Sequence, residues 1–273
     1  MGNDIRQTWV NNNHAMEGIV HENEGDEHTD FWGIQWRRAD RFNQIAAFPL
    51  ENAERDQILS YRFPYDHVEE LLNQMTPVLK DATTCFIGCD ISPCVFEMYF
   101  RLRGMGNALA DMASDDELTR EMFKRSADFS IALAGQVCKR FPLDWLWTGD
   151  DVAGQDSMMM SPSMWRDQIK PELQRILNVG KAADVWLAHH CCGALRPIIP
   201  DLIEMGIDVL NPIQSNCPGM DPLELKKEFG NDLAFMGGVD TVDLIPHGTV
   251  NEVRTATARL LQGMTTDGGG YIL

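Results

Sequence analysis

The sharpest chemical feature of the sequence is the run His189-His190-Cys191-Cys192-Gly193. Imidazole nitrogen and thiolate sulfur are the ligands that zinc takes. On a strand, residues i and i+2 point to the same side. His190 and Cys192 therefore share one face, and His189 and Cys191 share the other. Either pair could reach a metal, though two ligands do not complete a site. A buried cysteine pair beside a hydrogen-bonded histidine satisfies the same spacing. Asp150-Asp151 reads as a general acid/base pair, as a substrate clamp, or as the cap of a following helix. Asp240 precedes Thr241 and Val242 and reads equally as a cap. Gln214 could bond a ligand or simply be solvated, and Asn211-Pro212 reads as a strand terminator. Met158-Met159-Met160 suits core packing better than a cofactor surface. Cys85, Cys89 and Cys138 sit in apolar runs and are expected to be inert. Gly268-Gly269-Gly270 fits a tight turn or a close approach to a phosphate.

The elements that must position these residues follow a rhythm. Residues 1 to about 30 are polar and acidic and read as irregular, with a short hairpin arm over Asp30–Trp36. Pro49–Leu79 has a helical pattern. Apolar runs predict strands at Thr84–Asp90, Asp144–Asp151, Asp184–His190, Asp208–Pro212, Leu233–Val239 and Gly270–Leu273. Helices are predicted between them: one capped near Ser114-Asp115 and running to Arg140, then Pro162–Gly180, Ala194–Met205, Pro222–Phe229 and Val250–Met264. Strands alternating with helices mean βα units and a parallel sheet, either open or closed into a (β/α)₈ barrel. No Gly-rich dinucleotide fingerprint follows any strand, which argues against the open nucleotide-binding form. Six strands are legible where a barrel needs eight. The expected fold is thus α/β, a TIM-type barrel incomplete at its C-terminus, with the N-terminus open to the same reading. It forms a single domain over 1–273, with residues 1–48 as an irregular arm.

In parallel α/β folds ligands bind at the carboxyl ends of the strands. Asp90 follows the first run, and Asp150, Asp151 and Gln155 follow the second. His190 and Cys192 follow the third, Asn211 and Gln214 the fourth, and Asp240 the fifth. Polar residues recurring at one topological place in five successive units point to one mouth.

Composition narrows the function. The chain has 273 residues, 44% hydrophobic and 23% charged, which fits a globular domain with a sizeable core. Its 41 acidic and 23 basic residues give a net charge of -18, a field that repels nucleic acid and anionic membranes. No apolar run is long enough to span a membrane, and the N-terminus lacks the basic-then-apolar order of a signal peptide. Seven cysteines, two of them adjacent, fit reduced thiols in a cytoplasmic protein rather than a disulfide framework.

With these residues laid out, the chain resembles the uroporphyrinogen decarboxylase superfamily. The pieces are HCCG (190–193), IIPDLIEMGIDVLNPIQ (198–214), GMDPLELKKEFGNDLAFMGGVDT (219–241), HGTVNEVRTATARLL (247–261) and GGGYIL (268–273), with RLRGMGNALADM (101–112) and GDDVAGQDSMMMSPSMW (149–165) upstream. The resemblance implies a (β/α)₈ barrel. The decarboxylase branch carries an arginine-rich RQAGRY-like segment, an FDSWAG-like segment and a QGNLDP-like turn, none of which is present. The cobalamin-dependent methyltransferase branch carries an HxCG motif whose His and Cys bind zinc, and His190-x-Cys192-Gly193 matches it. That branch implies a further cysteine ligand, expected beyond Leu273. The resemblance thus implies zinc, a corrinoid carried by a partner protein, and methyl transfer to or from a thiol or similar small-molecule acceptor. Two alternatives stand beside it: a uroporphyrinogen decarboxylase of porphyrin biosynthesis, for which Arg101 and Arg103 are the nearby carboxylate-binding candidates, and a truncated, non-catalytic barrel. The candidate residues are His190 and Cys192 for metal, Asp151, Asp240 and Gln214 for catalysis, and Asp90, Asp150, Gln155 and Asn211 for substrate.

Overall fold

The computed structural model describes residues 4–11, 23–39 and 42–273. The chain opens with strand β1 (Ile5–Trp9). A small antiparallel sheet follows, β2 (Glu27–Thr29), β3 (Gln35–Ala39) and β4 (Phe42–Ala47), in the order β2-β3-β4. Two short helices, α1 (Arg55–Ser60) and α2 (Val68–Asn73), lead to β5 (Phe86–Asp90). Then come α3 (Phe96–Arg103), α4 (Met105–Ser114), α5 (Asp116–Arg140), β6 (Trp145–Gly149), α6 (Pro162–Gln168), α7 (Lys170–Ala182) and β7 (Trp186–His190). The chain continues with α8 (Ile199–Met205), β8 (Val209–Ile213), α9 (Pro222–Phe229), β9 (Ala234–Gly237), α10 (Leu244–His247), α11 (Val250–Met264) and β10 (Tyr271–Ile272).

Seven strands form one sheet in the order β1-β5-β6-β7-β8-β9-β10, every pair parallel. The sheet is curled. Alternate side chains from all seven strands meet on its inner side: Ile5, Phe86, Trp145, Trp147, Ala188, Val209, Ala234, Met236 and Ile272 form one cluster. β1 and β10 are the two ends of the strand order, yet both line a cavity of about 460 Å³ beside Trp145 and Trp147. The intervening residues, such as Ile87, Leu146, Leu187, Leu210 and Phe235, face outward into the main core against the helices. Each fully buried Leu, Ile or Phe there is worth about 1.5–3 kcal/mol. The architecture is therefore a curled parallel α/β sheet of half-barrel type. The six expected strands are all present, and the closed eight-stranded ring is not seen among the described residues.

The N-terminal region departs from the irregular arm expected over residues 1–48. β1 belongs to the main sheet, pairing Ile5–Trp9 with Phe86–Asp90. The expected hairpin arm is a turn held by Asp30, which is buried. Its carboxylate accepts from the backbone N–H of Trp32 and Ile34 and from the Trp36 indole. The turn also needs Gly33, whose φ is +79°. Residues 1–3, 12–22 and 40–41 of the expected arm lie outside the described residues.

Local chemistry explains the helix boundaries. Asp115 caps α5 by accepting from Leu118 N–H, with Asp116 and Glu117 in the first turn and Lys139 and Arg140 in the last, each favouring the helix dipole. The helix expected over 162–180 is broken at Ile169, because Pro171 supplies no N–H to continue it. Ala194–Met205 is likewise shorter than expected, helical only from Arg196 and regular from Ile199.

Candidate metal centre

At the carboxyl ends of the strands, the inner side presents Asp90, Gly149, His190 and Asn211. Gly149 is required there: a Cβ would lie 2.7 Å from Ser92 Cβ and 3.4 Å from His190 Cβ. His190 Nδ1 sits 2.8 Å from Asn211 Oδ1. An amide oxygen only accepts, so Nδ1 keeps a proton and Nε2 is the nitrogen that offers a lone pair once the ring is neutral. Nε2 lies 3.5 Å from Cys192 Sγ and 3.8 Å from Asp151 Oδ1. Cys192 N–H donates to the same Asp151 oxygen at 2.8 Å, fixing the carboxylate against the turn. One ligand atom each from Asp151, His190 and Cys192 lies within 4.8 Å of the other two. This nitrogen, sulfur and oxygen set is the kind zinc accepts. The His190 and Asp151 side chains are 35% and 32% exposed, so the triad opens to solvent.

Burial and neighbouring charges set the electrostatics of the cluster. Burial raises the Asp151 carboxyl, and the Glu97 carboxylate raises it further. Burial acts to lower His190, but the Cys192 sulfur, Asp151 and Asn211 outweigh it and push the imidazole up to about 9. Burial also pushes Asp90 up to about 7, although Ser92 N–H donates to its carboxylate.

The turn bearing Cys192 is clamped by two glutamines. Gln214 accepts from Gly193 N–H at 2.9 Å and donates to Gln155, which donates to the Asn216 carbonyl. Gly193 has a φ of +91°, and a Cβ there would sit 2.5 Å from the Gly154 carbonyl oxygen. Gln214 and Gln155 thus bridge two loops beside the triad, and Asn211 orients His190.

The other face of the strand turns His189 and Cys191 away from this cluster. His189 is 2% exposed and bonds Thr148 Oγ1; burial lowers it to about 3, so it stays neutral. Cys191 is fully buried, and burial raises its thiol well above the usual range. Asp150 also faces outward. Its carboxylate accepts from the N–H groups of Val95, Phe96 and Glu97 at the start of α3, the cap reading rather than a substrate contact. Burial pushes its carboxyl up to about 7 against those three donors.

Asp240 does not join the triad. Its carboxylate accepts from Val242 and Asp243 N–H, closing its own turn, and it lines a separate cavity of about 660 Å³ with Asp221, Leu244 and Arg259. The methionines pack on the outer core, Met160 buried and Met158 and Met159 partly so. Cys89 and Cys138 have thiols raised by burial. Gly268–Gly270 forms the turn into β10, tied down by Lys226, which donates to the Gly269 carbonyl and pairs with Asp267. Arg103 is spent on Asp111 and the carbonyls of Leu50, Glu51 and Ala53.

Two residues beside the site went unread in the sequence as a pair. Glu97 is buried; it accepts from Asp151 N–H at 3.3 Å and from Arg101 at 2.6 Å. Their i,i+4 spacing on a helix signals an ion pair, but nothing local places that pair against Asp151.

The uroporphyrinogen decarboxylase (URO-D) family matches residues 50–273. A methylated-thiol–coenzyme M methyltransferase of Methanosarcina mazei is 24% identical over 172 residues, which cover 62% of this chain and 43% of that protein. The chain therefore spans less than half the length of this curated relative. A solved methyltransferase structure from Methanosarcina mazei shares the fold with a TM-score of 0.69 at 16% identity, over 88% of this chain and 68% of that one. The chain belongs to the uroporphyrinogen decarboxylase superfamily, with its similarity running to the methyltransferase branch.

Proposed function

We propose that this protein is a zinc-dependent methyltransferase that exchanges a methyl group between a thiol acceptor and a corrinoid carried by a partner protein. The observation that carries the reading is His190, oriented by Asn211 so that Nε2 meets Cys192 Sγ and Asp151 in an open triad. His190 and Cys192 would hold the zinc, with Asp151 beside them. Bound there, zinc supplies a Lewis acid that keeps a substrate thiol ionised near neutral pH. The chain's own residues do the rest. Asn211 holds a proton on Nδ1, so Nε2 is the nitrogen that would meet the zinc. Asp151 is the nearest group to take the proton a thiol sheds on binding, its basicity raised by burial and by Glu97. Gln214 and Gln155 hold the Cys192 turn at a fixed distance from the sheet. Asp90 faces the same mouth as a contact for substrate.

A small-molecule acceptor and a protein donor suit a strongly acidic chain, and the cytoplasmic setting expected of its free thiols belongs to the same proposal. Among the described residues no helix is long and apolar enough to cross a membrane.

The test is metal analysis of the purified protein together with methyl transfer from methylcobalamin to a thiol. Stoichiometric zinc, lost with transfer in His190→Ala and Cys192→Ala, is the expected result. A metal-free protein whose transfer survives His190→Ala refutes the reading. Consumption of uroporphyrinogen by that protein would instead favour the decarboxylase alternative.

A further inference from the structure

We propose that the amino-terminal end of the sheet carries a second binding site, separate from the triad, and that its ligand is an organic ammonium cation. The site is a bowl of about 530 Å³, within the range of small-molecule pockets. Its wall is built where the strands begin. Phe86, Trp145 and Trp186 open the neighbouring strands β5, β6 and β7, and all three line the bowl. Asp4, Asp208 and Asp232 stand just ahead of β1, β8 and β9 and line it as well. Trp186 and His190 are the first and last residues of β7. The strand rise puts the bowl roughly 13 Å from the triad.

Three aromatic rings and three carboxylates in one concavity define a ligand class. Ring faces attract cations, tryptophan most strongly, and a quaternary ammonium is the ion that such a cage suits. No lysine or arginine lines the bowl among the described residues. Lys226, behind Gly270, is spent on Asp267 and the Gly269 carbonyl. The carboxylates give the bowl a negative rim, and the net charge of -18 draws cations toward it.

The cage is held in place yet incomplete. The Asp208 carboxylate accepts from Leu187 N–H at 2.7 Å, which fixes it beside Trp186. Phe86 meets the Trp145 ring edge-on at 5.1 Å, and Gly88 makes room for it, since a Cβ there would lie 1.8 Å from Trp145 Nε1. That Nε1 is buried and has no hydrogen-bond partner among the described residues. Trp145 forms part of the wall that the bowl shares with the cavity of about 460 Å³ between β1 and β10. A buried donor left over beside two cavities calls for an acceptor from outside the chain. Trp186 is 59% exposed, an indole left at the rim without protein cover. An ammonium with an oxygen on a short arm answers both the cage and the spare donor.

Choline has that chemistry, and 3,3-dimethyl-1-butanol is its uncharged isostere. Each is titrated into the purified protein carrying isotope-labelled tryptophan, and the indole N–H resonances are followed by NMR. The Trp186 resonance is the one lost in Trp186→Phe. Choline should shift it saturably, and the isostere should bind about tenfold more weakly. Trp186→Ala should weaken choline by about tenfold, whereas Trp186→Phe keeps a ring and should fall between. Asp208→Asn still accepts from Leu187 N–H, so it keeps the fold, and should weaken choline several-fold. His190→Ala should change nothing. Absence of a saturable shift, equal binding of the isostere, or undiminished binding by Trp186→Ala overturns the proposal. Choline binding lost in His190→Ala would move the cation to the triad and overturn the separate site. A dimer in sedimentation that Trp186→Ala disperses, with no choline shift, would give the bowl to a second copy of the chain and overturn the ammonium assignment.

Discussion

Asn211 touches no substrate in this scheme, yet replacing it should cost much of the metal affinity. Its Oδ1 is the acceptor that keeps the His190 proton on Nδ1 at 2.8 Å. Asn211→Leu preserves bulk and removes the acceptor. The Nδ1–H group is then left without its partner in a ring about one-third exposed, and the imidazole is free to turn. Loss of such an orienting partner lowers metal affinity by about 10–100-fold, or about 1.4–2.8 kcal/mol. Asn211→Asp restores an acceptor and should bind at least as tightly as the wild type. The pH profile gives a second readout. In the metal-free protein the imidazole is pushed up to about 9, so at neutral pH the metal must displace its proton. Apparent affinity should therefore rise from about pH 6 to about pH 8, by roughly tenfold per unit for each proton released, and flatten for the histidine near pH 9. Asn211 is one of the groups that holds that proton, so in Asn211→Leu the flattening should move to lower pH. The assay is zinc competition against a chromophoric chelator across that range. Unchanged affinity and an unchanged profile in Asn211→Leu, with Cys192→Ala abolishing binding, would refute the claim that Asn211 orients the ligand.

Other expectations follow from the same geometry. Cys191→Ala should leave zinc content unchanged while Cys192→Ala removes it; elemental analysis showing the reverse would invert the assignment of the two faces. Gly193→Ala should lower stability by about 2 kcal/mol or more, since it combines a φ of +91° with a Cβ 2.5 Å from a carbonyl oxygen; urea denaturation measures this, and a neutral result would mean the turn yields freely. Asp150→Ala strips the acceptor from three buried amides at the start of α3 and should cost about 2–5 kcal/mol, whereas Asp150→Asn, which still accepts, should cost less; equal losses by thermal melting would contradict the capping role.

What could be read in the sequence follows what is local. The strands bearing Leu146, Leu187 and Phe235 are short apolar runs because their outer faces meet helices and their inner faces meet each other. The start of Val250–Met264 was legible because Thr249 and Glu252 form a capping box. β1 was not, because Arg6, Gln7 and Thr8 interrupt its apolar pattern and its partner strand lies some eighty residues away. At the site, spacing alone paired His190 with Cys192 but could not choose between that pair and His189 with Cys191. That choice depends on which face meets helices, a property of the curl. Asp150 and Asp151 are neighbours with opposite duties for the same reason. Glu97 and Arg101 reach the site through a helix whose docking no local pattern encodes.

The doubled His-His-Cys-Cys run makes strand register a two-way choice with unequal outcomes. Sliding β7 by one residue against its neighbours would send His189 and Cys191 to the mouth, and the ligand types presented there would be unchanged. The mouth would nevertheless fail. Asn211 would face a ring in the wrong position, Asp151 would lose the Cys192 amide, and Thr148 would lose the partner it holds in the core. The proposed ligand pair is thus written twice in adjacent letters, and three hydrogen bonds from other strands and loops decide which copy faces the mouth.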